Sequence, residues 1–260
     1  MKLSSFQLVL EATWYCPRRC PHCYLGERRE LERCVTTSEL RYVLRKICSA
    51  IEFENGSAVV SGGEPSLLGA RRLLEYIHVL REFGFSTIAL ETRELPPPQV
   101  LPHLSHVVIS VDEVPSLTYV RKLAEDIVRR GTSVVLRTTV RRNSTDLVRS
   151  VVELARELGC GVALAPYIGT DEKQRPDPET TERVLSLAEE YSEYVDVYVV
   201  SRCVVGRSLT VDPYLVARLC PFIMRSEFSL PLTTAEPEEI EEFLERGSRE
   251  KFLCKKLGLV

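Results

Sequence analysis

The chain has 260 residues, of which 44% are apolar and 27% charged, with 13 Gly, 15 Pro and a formal net charge of −3. That composition excludes a disordered, collagen-like or low-complexity chain, and the length suits one large domain or a domain with a small appendage. The charge gives no general attraction to a phosphate backbone, and no basic patch interleaved with aromatics points to a nucleic-acid partner.

No apolar run approaches the roughly 20 residues of a membrane-spanning helix. The stretch Met1–Leu10 lacks the apolar core and small-residue cleavage site of a secretory leader. The expectation is a cytoplasmic protein without a membrane partner. Arg outnumbers Lys, and Asn occurs only at Asn55 and Asn143, which fits a thermophile.

In chain order, Phe6–Thr13 alternates and predicts a first strand. Thr36–Phe53 follows the capping residues Thr36, Thr37 and Ser38 and predicts a helix with Leu40, Val43, Leu44 and Ile47 on one face. Ser57–Ser61 predicts a short buried strand, and Leu67–Phe83 a helix stopped by Gly84. Ser86–Thr92 reads as a strand, Leu95–Leu104 as a Pro-rich, short helical connection and His106–Val111 as a strand. Then follow a helix over Leu117–Arg130, a strand over Ser133–Val140, a helix over Thr145–Leu158 closed by Gly159, a strand over Val162–Ile168 and a helix over Pro178–Tyr191. The pattern weakens after a strand at Tyr194–Val200. A hairpin around Leu209–Leu219 and a helix at Pro237–Arg246 complete it.

About six βα units in succession imply a parallel sheet, doubly wound or closed into a partial barrel. In either form the active site lies beyond the carboxyl ends of the strands. The expected division is 1–200 for this α/β domain and 201–260 for a C-terminal extension.

Nine cysteines stand at 16, 20, 23, 34, 48, 160, 203, 220 and 254. An odd number without a leader argues against a secreted disulfide framework. Cys34, Cys48 and Cys160 read as buried structural thiols or, in a hyperthermophile, as cytosolic disulfides. Cys16, Cys20 and Cys23 are different, because three thiols within one loop after the first strand can face one metal centre. A structural zinc site normally closes with four ligands, so His22 or a distant Cys would have to join them. An iron–sulfur cluster also takes thiolates, and three ligands leave one iron open to a substrate or cofactor. After the second strand comes Ser61-Gly62-Gly63-Glu64-Pro65. Its glycines permit a close backbone approach and its Glu64 offers a carboxylate to an amino group; the bland reading is a turn before a helix.

The loop Cys16-Pro-Arg-Arg-Cys20-Pro-His-Cys23 after strand one, with Gly-Gly-Glu-Pro after strand two, resembles the radical S-adenosylmethionine (SAM) superfamily. The text LEATWYCPRRCPHCYLGE is similar to the branch of molybdenum-cofactor synthases and peptide maturases. The resemblance implies a partial (βα)6 TIM-type barrel. Cys16, Cys20 and Cys23 would hold a [4Fe–4S] cluster whose open iron chelates SAM, and Gly62, Gly63, Glu64 and Pro65 would contact its amino group. Ser110 matches a strand-end Ser that contacts SAM. Arg137 would reach the SAM carboxylate or sit in a salt bridge. Thr92 stands where many members carry Thr-Asn-Gly, here replaced by Glu91-Thr92-Arg93-Glu94, and His22 takes an aromatic position near the adenine.

The implied activity is reductive cleavage of SAM to a 5′-deoxyadenosyl radical, which abstracts hydrogen from a peptide or small-molecule substrate. The electron donor would be a ferredoxin or flavodoxin. The segment Cys203-Val-Val-Gly206 to Leu219-Cys220-Pro221-Phe222, with Cys254 beyond it, resembles a reduced auxiliary-cluster extension. Cys203, Cys220 and Cys254 would then bind a second [4Fe–4S] cluster. A single-cluster activase of glycyl-radical enzymes, a non-catalytic iron–sulfur electron carrier and a structural zinc protein are the alternatives.

Overall fold

The structure, a computed structural model, describes residues 1–20, 22–168, 171–192, 197–199 by their backbone, 206–223 and 226–249. Cys203 and Cys254 lie outside the described residues, as do the flanks of the strand predicted at Tyr194–Val200. The regular elements are β1 (Lys2–Thr13), α1 (Thr37–Ala50), β2 (Glu52–Gly62), α2 (Gly69–Glu82), β3 (Phe85–Thr92), β4 (His106–Ser110), α3 (Leu117–Arg129), β5 (Ser133–Val140), α4 (Thr145–Leu158), β6 (Gly161–Pro166), α5 (Pro178–Tyr191), β7 (Val197–Val199), β8 (Ser208–Val211), β9 (Val216–Arg218), β10 (Ser229–Pro231) and α6 (Pro237–Arg249).

The chain divides into two compact units. The first holds the described residues of Met1–Leu90, Pro96–Ser105 and Cys203–Leu253, and the second those of Glu91–Leu95 and His106–Arg202.

In the first unit β1 is central. It pairs in parallel with β2, from Lys2↔Glu52 to Leu10↔Val60 and beyond, and β2 pairs in parallel with β3. On its other edge β1 pairs in parallel with β8, from Gln7↔Ser208 to Leu10↔Val211. The hairpin predicted at Leu209–Leu219 is present as β8 and β9, with β10 antiparallel beyond it. The amino ends of the strands are held by an aromatic cluster, Phe6, Phe53 and Phe85, whose ring centroids lie 5.1 to 6.2 Å apart. Thr36 starts α1 with a capping box: its hydroxyl accepts the Glu39 N–H at 3.2 Å, and the Glu39 carboxylate accepts the Thr36 N–H at 2.8 Å. Lys46 and Tyr42 of α1 donate to the carbonyls of Ala235 and Thr233 just before α6, at 2.6 and 3.0 Å.

Several elements differ from expectation: β1 begins at Lys2 rather than Phe6, and α1 ends at Ala50 rather than Phe53. β2 begins at Glu52 rather than Ser57, because pairing with β1 recruits the weakly apolar Glu52–Gly56 stretch into the ladder. The helix expected from Leu67 opens as a 3₁₀ turn over Pro65–Leu68, and α2 starts only at Gly69. In the Pro-rich connection the helical part shrinks to a 3₁₀ turn at Leu101–His103, since Pro96, Pro97 and Pro98 have no N–H to donate.

The second unit is a parallel sheet in the order β4-β5-β6-β7, with α3, α4 and α5 as its crossovers. Asp177 caps α5 by accepting the Thr180 N–H at 2.8 Å, with Pro178 in the first helical position. Gly159 closes α4 in the left-handed conformation. Among the described residues no helix is long and apolar enough to cross a membrane.

Candidate functional site

The cysteine loop is an excursion from the carboxyl end of β1. Its exit and return are fastened together: Thr13 and Cys34 form an antiparallel bridge, the Thr13 hydroxyl donates to the Arg33 carbonyl at 3.1 Å, and Val35 N–H donates to the Ala12 carbonyl at 2.9 Å. Inside the loop, Cys16 N–H reaches the Arg29 carbonyl at 2.9 Å. Cys23 N–H reaches the Cys20 carbonyl at 3.1 Å, which closes the turn between these two cysteines. All three are half-buried. A 3₁₀ turn at Gly26–Glu30, without any apolar repeat to announce it, carries the chain back.

The Gly62–Pro65 segment is joined to this loop by its backbone. Gly63 N–H donates to the Thr13 carbonyl at 2.7 Å and Glu64 N–H to the Tyr15 carbonyl at 2.9 Å. A Cβ on Gly63 would collide with the carbonyl oxygens of Trp14 and Tyr15, and one on Gly62, at φ +115°, with that of Thr13. The close approach that the glycines permit is therefore made to the chain itself, at the foot of the cysteine loop.

Glu64 is 2% exposed, and its carboxylate accepts the Ser66 N–H at 3.1 Å, capping the Pro65–Leu68 turn. Burial pushes the Cys16 thiol up, and the charges of Glu64, Cys20 and Cys23 push it the same way. The three thiols and Glu64 thus share one electrostatic neighbourhood. Ionised together these groups would repel one another; a bound cation offsets that, and thiols on a bound metal are deprotonated outright. Among the described residues no three His, Cys, Asp or Glu side chains converge on a single metal ion. A cluster makes a different demand: each thiolate holds its own iron, so the sulfurs stand around a cage. The soft donor set fits that group. His22 lies half-buried in the same loop.

Thr92, Ser110 and Arg137 are in the second unit. Thr92 is buried and turned on its own backbone: its hydroxyl donates to the Glu94 carbonyl at 3.2 Å and accepts the Glu94 N–H at 3.0 Å. Ser110 and Arg137 are opposite each other in the β4–β5 ladder. Arg137 is ion-paired with Glu91, and the Ser110 hydroxyl stands 3.5 Å from the same carboxylate. Beside them Arg93 and Asp112 form a second pair at 2.6 Å, and Arg141 donates to the Asp112 carbonyl at 2.6 Å. Of the two readings of Arg137, the salt bridge is present. Glu91 is the partner that sequence reasoning passed over; its signal was the charged Glu91-Thr92-Arg93-Glu94 at a strand end.

Another missed group lies under the cysteine loop. Glu11 of β1 and Arg218 of β9 are ion-paired, at 0% and 2% side-chain exposure. Cys220, two residues further on, is half-buried.

No protein-family model matches the sequence, and no curated protein does. Solved structures do match in fold. SuiB from Streptococcus suis, bound to S-adenosylmethionine, superposes with a TM-score of 0.70 at 13% identity over 90% of this chain and 64% of that one. The chain therefore spans just under two thirds of SuiB. anSMEcpe with bound AdoMet and the Cp18Cys peptide superposes with a TM-score of 0.73 at 14% identity, over 95% of this chain and 82% of that one. A radical SAM methyltransferase from Sphaerobacter thermophilus gives 0.51 at 16% identity, over 75% and 64%. The fold is thus the α/β partial barrel of radical SAM enzymes.

Proposed function

We propose that this chain is a radical SAM enzyme acting on a peptide, with a [4Fe–4S] cluster on Cys16, Cys20 and Cys23. The observation that carries the reading is the joining of the cysteine loop to the Gly62–Pro65 segment through Gly63 and Glu64, which brings a buried carboxylate near enough to act on the Cys16 thiol. An electron carrier or a zinc staple has no use for that carboxylate. The peptide substrate rests on the neighbours in fold: SuiB is also known bound to its precursor peptide SuiA, and anSMEcpe holds the Cp18Cys peptide.

Held by Cys16, Cys20 and Cys23, a [4Fe–4S] cluster would supply the one electron, drawn from a ferredoxin or flavodoxin, for reductive cleavage of SAM to methionine and a radical able to take hydrogen from the substrate. The protein's part is positional. Three thiolates would leave one iron of such a cluster without a protein ligand. The buried Glu64 carboxylate would offer the amino group of SAM a counter-charge where water is largely excluded and such an attraction is strong. The Gly63 and Glu64 N–H groups fix that carboxylate's backbone to the loop, so that cluster and amino-group contact keep one geometry.

The test is anaerobic reconstitution followed by iron counting and a 5′-deoxyadenosine assay with dithionite and SAM. The intact protein is expected to be brown and to release deoxyadenosine. The variant with Cys16, Cys20 and Cys23 all replaced by Ala is expected to do neither. Deoxyadenosine release that persists in the triple variant refutes the assignment.

A further inference from the structure

Glu11 is a carboxylate buried completely at the end of a strand, where an isolated charge is strongly disfavoured. Both its oxygens are engaged. Oε2 accepts the indole N–H of Trp14 at 2.6 Å and is paired with Arg218, and Oε1 accepts the Tyr24 hydroxyl at 3.0 Å. The positions matter. Trp14 is two residues before Cys16 and Tyr24 directly follows Cys23, so all three cysteines lie between two side chains held by one carboxylate.

The C-terminal segment grips the same two side chains. The ring of Tyr214 packs on Trp14 at 5.3 Å, and that of Phe222 meets Tyr24 edge-on at 5.6 Å. Arg218 also donates to the Pro221 carbonyl at 3.2 Å. The hairpin that presents Tyr214 and Arg218 is shaped by Asp212, which accepts the N–H groups of Tyr214 and Val216 at 2.9 and 3.1 Å. Every one of these contacts lies within the first unit.

We infer that Glu11 is a positioning residue for the cluster loop: it pins both feet of the Cys16–Cys23 loop, and Arg218 of the C-terminal hairpin is the counter-charge that allows it to. The inference rests on the cluster assignment made above. Neither residue is an iron ligand. Their contribution is to keep the spacing of the three thiolates fixed, and through Arg218 that spacing depends on the hairpin.

The test uses the reconstituted holoenzyme, with two readouts besides turnover: the rate of iron loss to a ferrous chelator, and the electron paramagnetic resonance line shape of the reduced cluster with SAM. Glu11→Leu combined with Arg218→Met removes both charges, which avoids stranding either one in the interior. The Arg218 Nε has no acceptor among the described residues, so the pair being removed is not a perfectly satisfied one. This variant is expected to melt cooperatively, to lose iron roughly ten-fold faster or more, as loss of two buried hydrogen bonds implies, and to give a broadened signal. Glu11→Gln combined with Arg218→Met keeps an acceptor for the loop without stranding a charge, and is expected to restore part of the wild-type iron retention and line shape.

If the double variant fails to fold, Trp14→Phe with Tyr24→Phe carries the same test, because it leaves the ion pair intact and frees only the loop. A folded variant of either kind with wild-type iron loss and line shape overturns the inference while leaving the cluster assignment standing. Wild-type protein that retains no iron overturns both.

Discussion

Gly63→Ala isolates the junction between the cysteine loop and the Gly62–Pro65 segment. Gly63 does not sit in the left-handed region, so the substitution adds no backbone strain and its effect is steric. The new methyl would meet the carbonyl oxygens of Trp14 and Tyr15, which are backbone and cannot swing aside. Relief requires one strand end to move. That endangers the Gly63–Thr13 and Glu64–Tyr15 hydrogen bonds, at 2.7 and 2.9 Å. Overpacking costs about 1–3 kcal/mol, and two hydrogen bonds add about 1 kcal/mol each. The sum is roughly 3–5 kcal/mol. At about 2–4 °C per kcal/mol for a chain of this size, the melting temperature should fall by roughly 6–20 °C. The assay is an anaerobic thermal melt followed by circular dichroism, run beside iron counting and SAM titration on the same preparations. Because the moving backbone leads straight into Cys16, iron content and SAM affinity are expected to fall together, although Gly63 ligates nothing. A melting temperature within about 2 °C of wild type, with iron retained, would refute the steric junction.

Other perturbations separate stability from chemistry. Phe85→Ala opens the aromatic cluster at the amino ends of β1, β2 and β3, and urea melts should show a loss of about 3–5 kcal/mol, with SAM binding at the site proposed for the opposite strand ends unchanged in the folded protein. Thr36→Ala removes one half of the α1 capping box and should cost about 1 kcal/mol by the same assay. Burial pushes the Cys160 thiol up to about 11, so iodoacetamide at pH 8, read by peptide mass spectrometry, should modify it only after denaturation. Burial holds His106 below its ordinary value. Its folded form binds a proton less readily than its unfolded form, so its contribution is complete above about pH 6.5 and is lost as pH falls through the depressed folded value. The His106→Gln variant should show a shallower loss of stability than wild type over that acid range, and an identical slope would refute the burial argument.

The order of strands and helices was legible in the sequence because each βα unit carries its own local signals. The apolar face of α1, the Gly after α4 and the Pro at the start of α5 are written into consecutive residues, and the bounds of β5, α4 and α5 coincide with those expected. The three cysteines and the Gly62–Pro65 text were legible for the same reason, since thiol spacing within one loop needs no long-range information. What the sequence left open are pairings between residues far apart in the chain. Arg137 offered two partners until the fold set Glu91 beside it, 46 residues away. Gly63 read as room for a ligand, and the fold filled that room with the backbone of Tyr15. Glu11 read as one more residue of a strand, and Arg218 as a charge on a hairpin. Their union across 207 residues requires β8 to dock against β1. Such contacts arise from the parallel pairing of distant strands, whose partners and register no local pattern encodes, and they determine what the cysteine loop stands on.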